Sequence, residues 1–353
     1  MIEEKNILIC YNAPCSVYNT YSGKEKDDYL EMNDLSETSL VAEIENAAAL
    51  LKNYYSTVNT LAVTNDIQDF IKRLKLYNPD VIFNFVEAVE GISSYEFCIA
   101  GLYELLDFDY TGNRPITLGN CLNKERAKRI LKAYNINTPS SFTFKYGEVS
   151  DINKIDLNYP VILKLLTEDA SIGISENSVV NNADELKKQI EYLFAEYKTN
   201  VIAEEYIEGR ELNAAVLGGR IMPVSEIKFD GLPEGLPKIV TYEGKWMAES
   251  VYYKNTVPQC PADLSAGLKA VVEDIALKAY RALDCRDYAR VDIRVNKEGV
   301  PFVIEINPNP DISTDSGFAR AASAAGLSYA ELLMSISGFA LERKKYDTKF
   351  AAC

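Results

Sequence analysis

The chain has 353 residues, too many for one small core, and its 47% hydrophobic and 25% charged side chains are an ordinary globular mixture that argues against disorder outside the ends. A net charge of −15, from 37 basic against 52 acidic residues with no dense basic cluster, argues against nucleic acid and anionic membranes as partners. There is no histidine, which removes Ser-His-Asp and Cys-His catalysis and the usual zinc sites and leaves the chemistry to carboxylates, lysines, arginines, amides or a bound metal.

The opening MIEEKNILIC passes directly into a strand and is read as neither a secretory signal nor a transit peptide. No apolar run approaches the ~20 residues that span a bilayer. The seven cysteines (Cys10, Cys15, Cys98, Cys121, Cys260, Cys285, Cys353) are scattered without a CxxC pair, so reduced thiols and a cytoplasmic setting are expected.

NILICYN (Asn6 to Asn12) predicts a buried strand, and SLVAEIENAAALLKNY (Ser39 to Tyr54) a helix with Ser39 as its cap. VNTLAV, a helix around Ile67 to Leu76, and PDVIFNFV (Pro79 to Val86) continue the alternation of a parallel α/β sheet. A helix around Glu96 to Leu106 and DYTGN (Asp109 to Asn113) close this first domain, 1–115. Its first strand runs into YNAPCSVYN rather than GxGxxG, so a dinucleotide fold loses support. The second domain, 116–208, opens with a basic helix, NKERAKRILKAYN. It continues with the strand YPVILKLL, a small-residue loop TEDASIGI (Thr167 to Ile174), a returning strand SENSVV, a helix ADELKKQIEYLFAEY and the strand NVIAEEYI, a small α+β unit. The third, 209–337, holds further strands, a long loop (Lys228 to Asp263), a helix (Leu264 to Leu283) and a hairpin; 338–353 reads as a polar tail, frayed at its end.

That hairpin, YARVDIRVNKEGVPFVIEIN (Tyr288 to Asn307), carries the chemistry. A tight turn flanked by Asn296 and Gly299 sets Arg290 against Glu305 and Asp292 against Val303. One face then bears Arg290, Asp292, Glu305 and Asn307, the other Ala289, Val291, Ile293, Phe302, Ile304 and Ile306. Two carboxylates and an amide oxygen form a hard site suited to Mg²⁺ or Mn²⁺, and the arginine suits an anion that the metal also touches. Open metal positions beside cations are how nucleotide phosphates are held during phosphoryl transfer. Pro308 and Pro310 lack the N–H a ladder needs, so the strand stops near Asn307 and a stiff loop follows.

Taken in order, CLNKERAKRIL, YPVILKLLTEDASIGIS, VIAEEYIEGRELNAAVLGG, YEGKW, ARVDIRV and EINPNPDIS…GFARAASAAGLSYAELL resemble the ATP-grasp ligases, in their D-alanine-D-alanine ligase-like branch, over roughly residues 80 to 335. The resemblance implies an α/β ATP-grasp fold, α+β in the lid, behind an amino-terminal parallel α/β domain. It implies that Lys124 and Lys164 hold nucleotide phosphates, with Ser171 in the loop that covers them; that Glu204, Tyr206 and Ile207 read adenine; and that Glu211 takes the ribose. Asp292, Glu305 and Asn307 match the metal ligands, Arg290 the arginine that steadies the transferring phosphate. Lys245 and Ser316 match positions for the second substrate's carboxylate, and a backbone amide near Asp311 the place that binds the reacting carbonyl's oxygen. The implied cofactors are ATP and Mg²⁺ (or Mn²⁺), the implied assembly a homodimer. The implied reaction has a substrate carboxylate attack the γ-phosphate to give an acyl phosphate, which an amine then displaces, under a closing lid that excludes water.

Departures accompany the match. Members specific for D-alanine carry a serine and a tyrosine where Ala170 and Trp246 stand, a glutamate near the amino terminus with no counterpart here, and a glycine in place of Asp311. By the same resemblance NFVEAVEGISSYE would face the site with Glu87 and Glu90 which, with Asp311 and Asp315, could receive an ammonium or a basic side chain. The expectation is an ATP-dependent carboxylate-amine ligase for small amino-acid-like substrates; a D-alanine-D-alanine ligase with a rebuilt site, or an ATP-binding protein without catalysis, are the alternatives.

Overall fold

The computed structural model describes residues 2–18, 20–24, 40–148 and 155–347. The amino-terminal unit is built from β1 (Glu3–Asn12), α1 (Leu40–Leu51), β2 (Tyr55–Val63), α2 (Ile67–Tyr77) and β3 (Val81–Phe85), with a parallel sheet in the order β2-β1-β3. Ile7, Leu8, Ile9 and Cys10 have no exposed surface. A strand covered on both faces needs such an unbroken apolar run: Ile7 and Ile9 pack on α1, Leu8 and Cys10 on Phe70 and Leu74 of α2. The side chain of Asp66 caps α2 and Asn78, with φ 43°, ends it. The expected cap Ser39 lies outside the described residues.

Three helices, α3 (Glu96–Leu105), α4 (Pro115–Leu122) and α5 (Lys124–Ala133), lead to an antiparallel sheet of β4 (Ser141–Phe144), β5 (Val161–Leu165), β6 (Val179–Val180) and β7 (Val201–Glu205) in the order β4-β7-β5-β6. The helix α6 (Ala183–Tyr197) buries Leu186, Ile190 and Leu193 against its strands. SENSVV is strand only at Val179–Val180; Ser175 caps a short 3₁₀ turn over Glu176–Ser178, because its hydroxyl competes with the ladder for backbone N–H groups.

The third sheet contains β8 (Gly209–Leu217), β9 (Arg220–Ile221), β10 (Ser225–Lys228), β11 (Val257–Gln259), β12 (Tyr288–Asn296) and β13 (Pro301–Asn307), ordered β11-β10-β8-β12-β13 with β9 on β8. Two short helices, α7 (Tyr242–Trp246) and α8 (Val251–Asn255), interrupt the segment expected as loop, and α9 (Ala266–Ala282) covers one face of the sheet. After the hairpin come α10 (Gly317–Ala324) and α11 (Tyr329–Asp347). The region 338–347, expected as part of a polar tail, continues α11, where Ala340 is fully buried. Among the described residues no single helix is long and apolar enough to cross a membrane.

The hairpin pairs differently from the expectation. Arg290 lies opposite Asn307 and Asp292 opposite Glu305, not opposite Glu305 and Val303. Two offsets of one residue add up. The turn is longer than supposed, with Asn296 N donating to Val300 O, and the register shifts again between Asp292 and Ile293. One offset reverses a strand's faces; two restore them. Arg290, Asp292, Glu305 and Asn307 therefore still share a face, while Val303, within the shifted stretch, joins Ile293 and Ile306 in the core and Ile304 turns into the cleft.

Candidate active site

The three sheets border a cleft of about 1070 Å³. Its lining includes Glu87, Lys124, Lys164, Ser171, Glu204, Tyr206, Ile207, Glu211, Lys245, Arg290, Asp292, Glu305, Asn307, Asp311 and Ser316. Glu90 is not among these residues: it is exposed, in a left-handed turn (φ 51°) between the bridged Val89 and Ile92. Its expected place in the site is not supported by its position.

At one end two strands carry opposite charges inward. Glu204 of β7 is 1% exposed and pairs with Lys164 of β5 at 3.1 Å and with Lys128 of α5 at 3.2 Å. Burial pushes its carboxyl up, and the two ammonium groups outweigh this and hold it below the ordinary range. Lys128 is 2% exposed, and burial lowers it to about 8. It was not anticipated, although its position one helical turn after Lys124 was a usable signal. Glu211 of β8 sits opposite Arg294 of β12 and pairs with it at 2.8 Å. The Arg294 guanidinium also donates to Ile207 O (3.0 Å) and lies over the Tyr206 ring at 5.1 Å. Arg294 too was missed, yet it falls on the same alternating face as Arg290 and Asp292.

Lys124, in the first turn of α5, is 6% exposed, and its ammonium group meets three oxygens of the chain. Its Nζ donates to Glu168 O (2.5 Å) and Asp169 Oδ1 (3.2 Å) and lies 3.1 Å from Glu305 Oε1. Burial pulls Lys124 down, but Glu305 and Asp169 more than reverse it, so it stays charged. The loop carrying Asp169 is held at several points. Ala170 and Ser171 take positive φ (53° and 62°), and Gly173 N donates to Tyr21 O. A Cβ on Gly23 would sit 2.4 Å from Gly173 O, so Gly23 cannot be enlarged without moving the loop. Glu168 accepts from Tyr18 Oη (3.0 Å) and Ser93 Oγ (3.1 Å), and burial raises its carboxyl to about 6. Trp246 Nε1 donates to Ala170 O at 3.3 Å.

Across from the lysines, Arg290 grips Asp292 with two bonds (2.7 and 2.9 Å), and Asn213 Nδ2 donates to Asp292 Oδ1 at 2.7 Å. Glu305 faces Asp292 across the ladder; burial would raise its carboxyl, but Lys124 and Lys164 hold it down at about 2. Lys245 approaches this group from α7, and burial and then Arg290 lower it. Among the described residues no three His, Cys, Asp or Glu side chains group as a metal site. The Asn307 carboxamide lies on the same face, at the end of β13. Two carboxylates and an amide oxygen are hard donors that fit Mg²⁺ or Mn²⁺, whose charge the neighbouring cations partly replace.

At the far end Asp311 is exposed, whereas Ser316 is 7% exposed and caps α10 by accepting from Ala319 N (3.1 Å). Glu43 of α1, not anticipated, also lines the cleft; burial raises its carboxyl, and Asp315 and Asp311 add to this.

The carboxy-terminal part matches the family model D-ala D-ala ligase C-terminus over residues 130–337. The chain is 33% identical over 267 residues to an uncharacterised protein of Sinorhizobium fredii, covering 74% of this chain and 75% of that one. It is 31% identical over 255 residues to a D-alanine--D-alanine ligase of Nitrosospira multiformis, covering 72% and 78%. Among solved structures, the D-alanine--D-alanine ligase of Bacillus anthracis complexed with ATP superposes with a TM-score of 0.73 at 24% identity, over 97% of this chain and 99% of that one.

Proposed function

This chain belongs to the D-alanine-D-alanine ligase family, and on that premise we propose that it joins a carboxylate to an amine of small amino-acid-like substrates at the expense of ATP, through an acyl phosphate. Its fold is the ATP-grasp fold of that family, and its class is that of the ATP-grasp carboxylate-amine ligases. The observation that carries the finer reading is the meeting of two lysines, an arginine and three hard oxygen donors on one cleft.

In this reading Lys124 and Lys164 take the nucleotide phosphates, and the amides of the loop around Ser171 cover them. Glu204, Tyr206 and Ile207 border the base, with Lys128 fixing the Glu204 carboxylate, and Glu211 meets the ribose in the orientation set by Arg294. Asp292, Glu305 and Asn307 would hold Mg²⁺ or Mn²⁺, which when bound neutralises charge on the transferring phosphoryl group. Arg290 adds a fixed cation where charge develops, in a site without histidine. Lys245, lowered by burial and Arg290, faces the carboxylate of the second substrate, and Ser316 at the start of α10 lines the same cleft. Loop contacts at Tyr18, Tyr21, Ser93 and Trp246 shield the acyl phosphate from water.

Ala170, Trp246 and Asp311 support substrates other than two D-alanines, and the exposed Glu87 and Asp311 support an amine substrate carrying positive charge. The test is phosphate and ADP release across pairs of amino acids and dipeptides, with mass spectrometry of the product. Release that needs both an acid and an amine is expected; ATP binding with no release over a broad panel would overturn the reading.

A further inference from the structure

The Pro308–Asn309–Pro310 loop begins where the strand bearing Glu305 and Asn307 ends, and its two prolines have no N–H to give. Asn309 between them makes four hydrogen bonds. Its backbone N donates to Asn307 Oδ1 (3.2 Å), and its Nδ2 donates to Val86 O (3.2 Å) and Glu96 Oε1 (3.0 Å). Its Oδ1 accepts from Tyr288 Oη (2.9 Å). Tyr288 is 1% exposed and Glu96 9%, so water competes poorly for these bonds.

Val86 follows β3 and Glu96 opens α3, both outside the sheet that carries Asn307 and Tyr288. A single carboxamide thus ties the amino-terminal unit to the edge of the acidic face. Only a carboxamide offers two donors to one side and an acceptor to the other. A carboxylate there would present acceptors to two acceptors. Burial raises Glu96 above the ordinary carboxylate range, against the pull of Asn309. The Asn309 N–H also decides which end of the Asn307 amide is which: Oδ1 faces it, keeping a second lone pair free.

We propose that Asn309 is a positioning residue anchored by Glu96, through which the amino-terminal unit sets how Asn307 faces the cleft. This rests on the reading of Asn307 as a metal ligand. The test is Mn²⁺ binding to the nucleotide-free full chain, followed by electron paramagnetic resonance, with thermal melting to confirm folding. Asn309→Asp should weaken Mn²⁺ binding about 10- to 100-fold, the usual loss when a ligand's own partner is changed, and leave metal-free ATP binding as in the parent. Adding Glu96→Gln supplies an amide donor opposite the new carboxylate and should recover part of the loss, which a merely structural defect would not allow. Asn309→Ala carries the test if Asn309→Asp does not fold. Parental Mn²⁺ binding in the Asn309 variants, beside its loss in Asn307→Ala, overturns the proposal and leaves the metal reading standing. Parental binding in Asn307→Ala removes both. A double variant no better than Asn309→Asp overturns the rescue and with it the anchoring role of Glu96.

Discussion

The two ends of the cleft use charge differently. Toward the β5–β7 strands, Glu204, Lys128, Lys124 and Arg294 are each at most 6% exposed, and every one of them has an opposite charge within about 3 Å. Toward α10, Glu87, Asp311 and Asp315 are exposed, and their backbones belong to loops. Charges taken out of water must be balanced within the fold, so the first end is preformed and intolerant. The second is hydrated and can be altered with little cost to the fold.

This contrast can be broken first where it is strongest. Glu204→Ala leaves two buried ammonium groups facing each other and should cost about 3–5 kcal/mol, the usual loss on removing one member of a buried ion pair; urea unfolding measures it. A loss as small as that of a surface substitution would place Glu204 with the hydrated end. Next, Arg290→Ala removes a fixed cation beside Asp292 and should lower kcat about 10²- to 10³-fold, in line with loss of one preorganised charge donor, with the fold intact by circular dichroism. At the exposed end, Glu87→Gln should raise KM for a cationic amine only about two- to fivefold, as a screened surface charge allows, and leave KM for ATP unchanged. An unchanged amine KM removes Glu87 from substrate recognition.

The smallest effect concerns the loop between the two ends. Burial raises the Glu168 carboxyl from its ordinary value to about 6. A carboxyl raised in the folded state contributes stability that is fully present below its unfolded value, near 4.5, and is lost as pH rises through about 6. The parent should therefore lose Tm relative to Glu168→Gln between pH 4.5 and 7, and parallel Tm profiles of the two proteins would show that Glu168 ionises as if in water.

Legibility followed the same division. Charges on strands could be read from alternation alone, which brought Arg290, Asp292, Glu305 and Asn307 to one face. Their partners could not, because a longer turn and a bulge each moved the register and neither has a composition signal as strong as Asn-Gly. The parallel sheet was legible because Ile7 to Cys10 form an unbroken apolar run. Contacts made between units were hidden. Nothing near Asn309 in sequence announces Val86 or Glu96, and even within one unit Asp169 reads as a loop residue until Lys124 is seen beside it. Glu90 failed for the converse reason: nearness in sequence to Glu87 does not carry a side chain around a left-handed turn.

Trp246 is the only tryptophan in the chain, and its indole N–H is bonded to Ala170 O in the loop between β5 and β6. The protein thus carries a built-in optical probe at its most informative place. Its near-ultraviolet emission reports the surroundings of the indole against a background of tyrosines alone, so any change at this contact on adding ATP can be timed in a stopped-flow cell without attaching any dye.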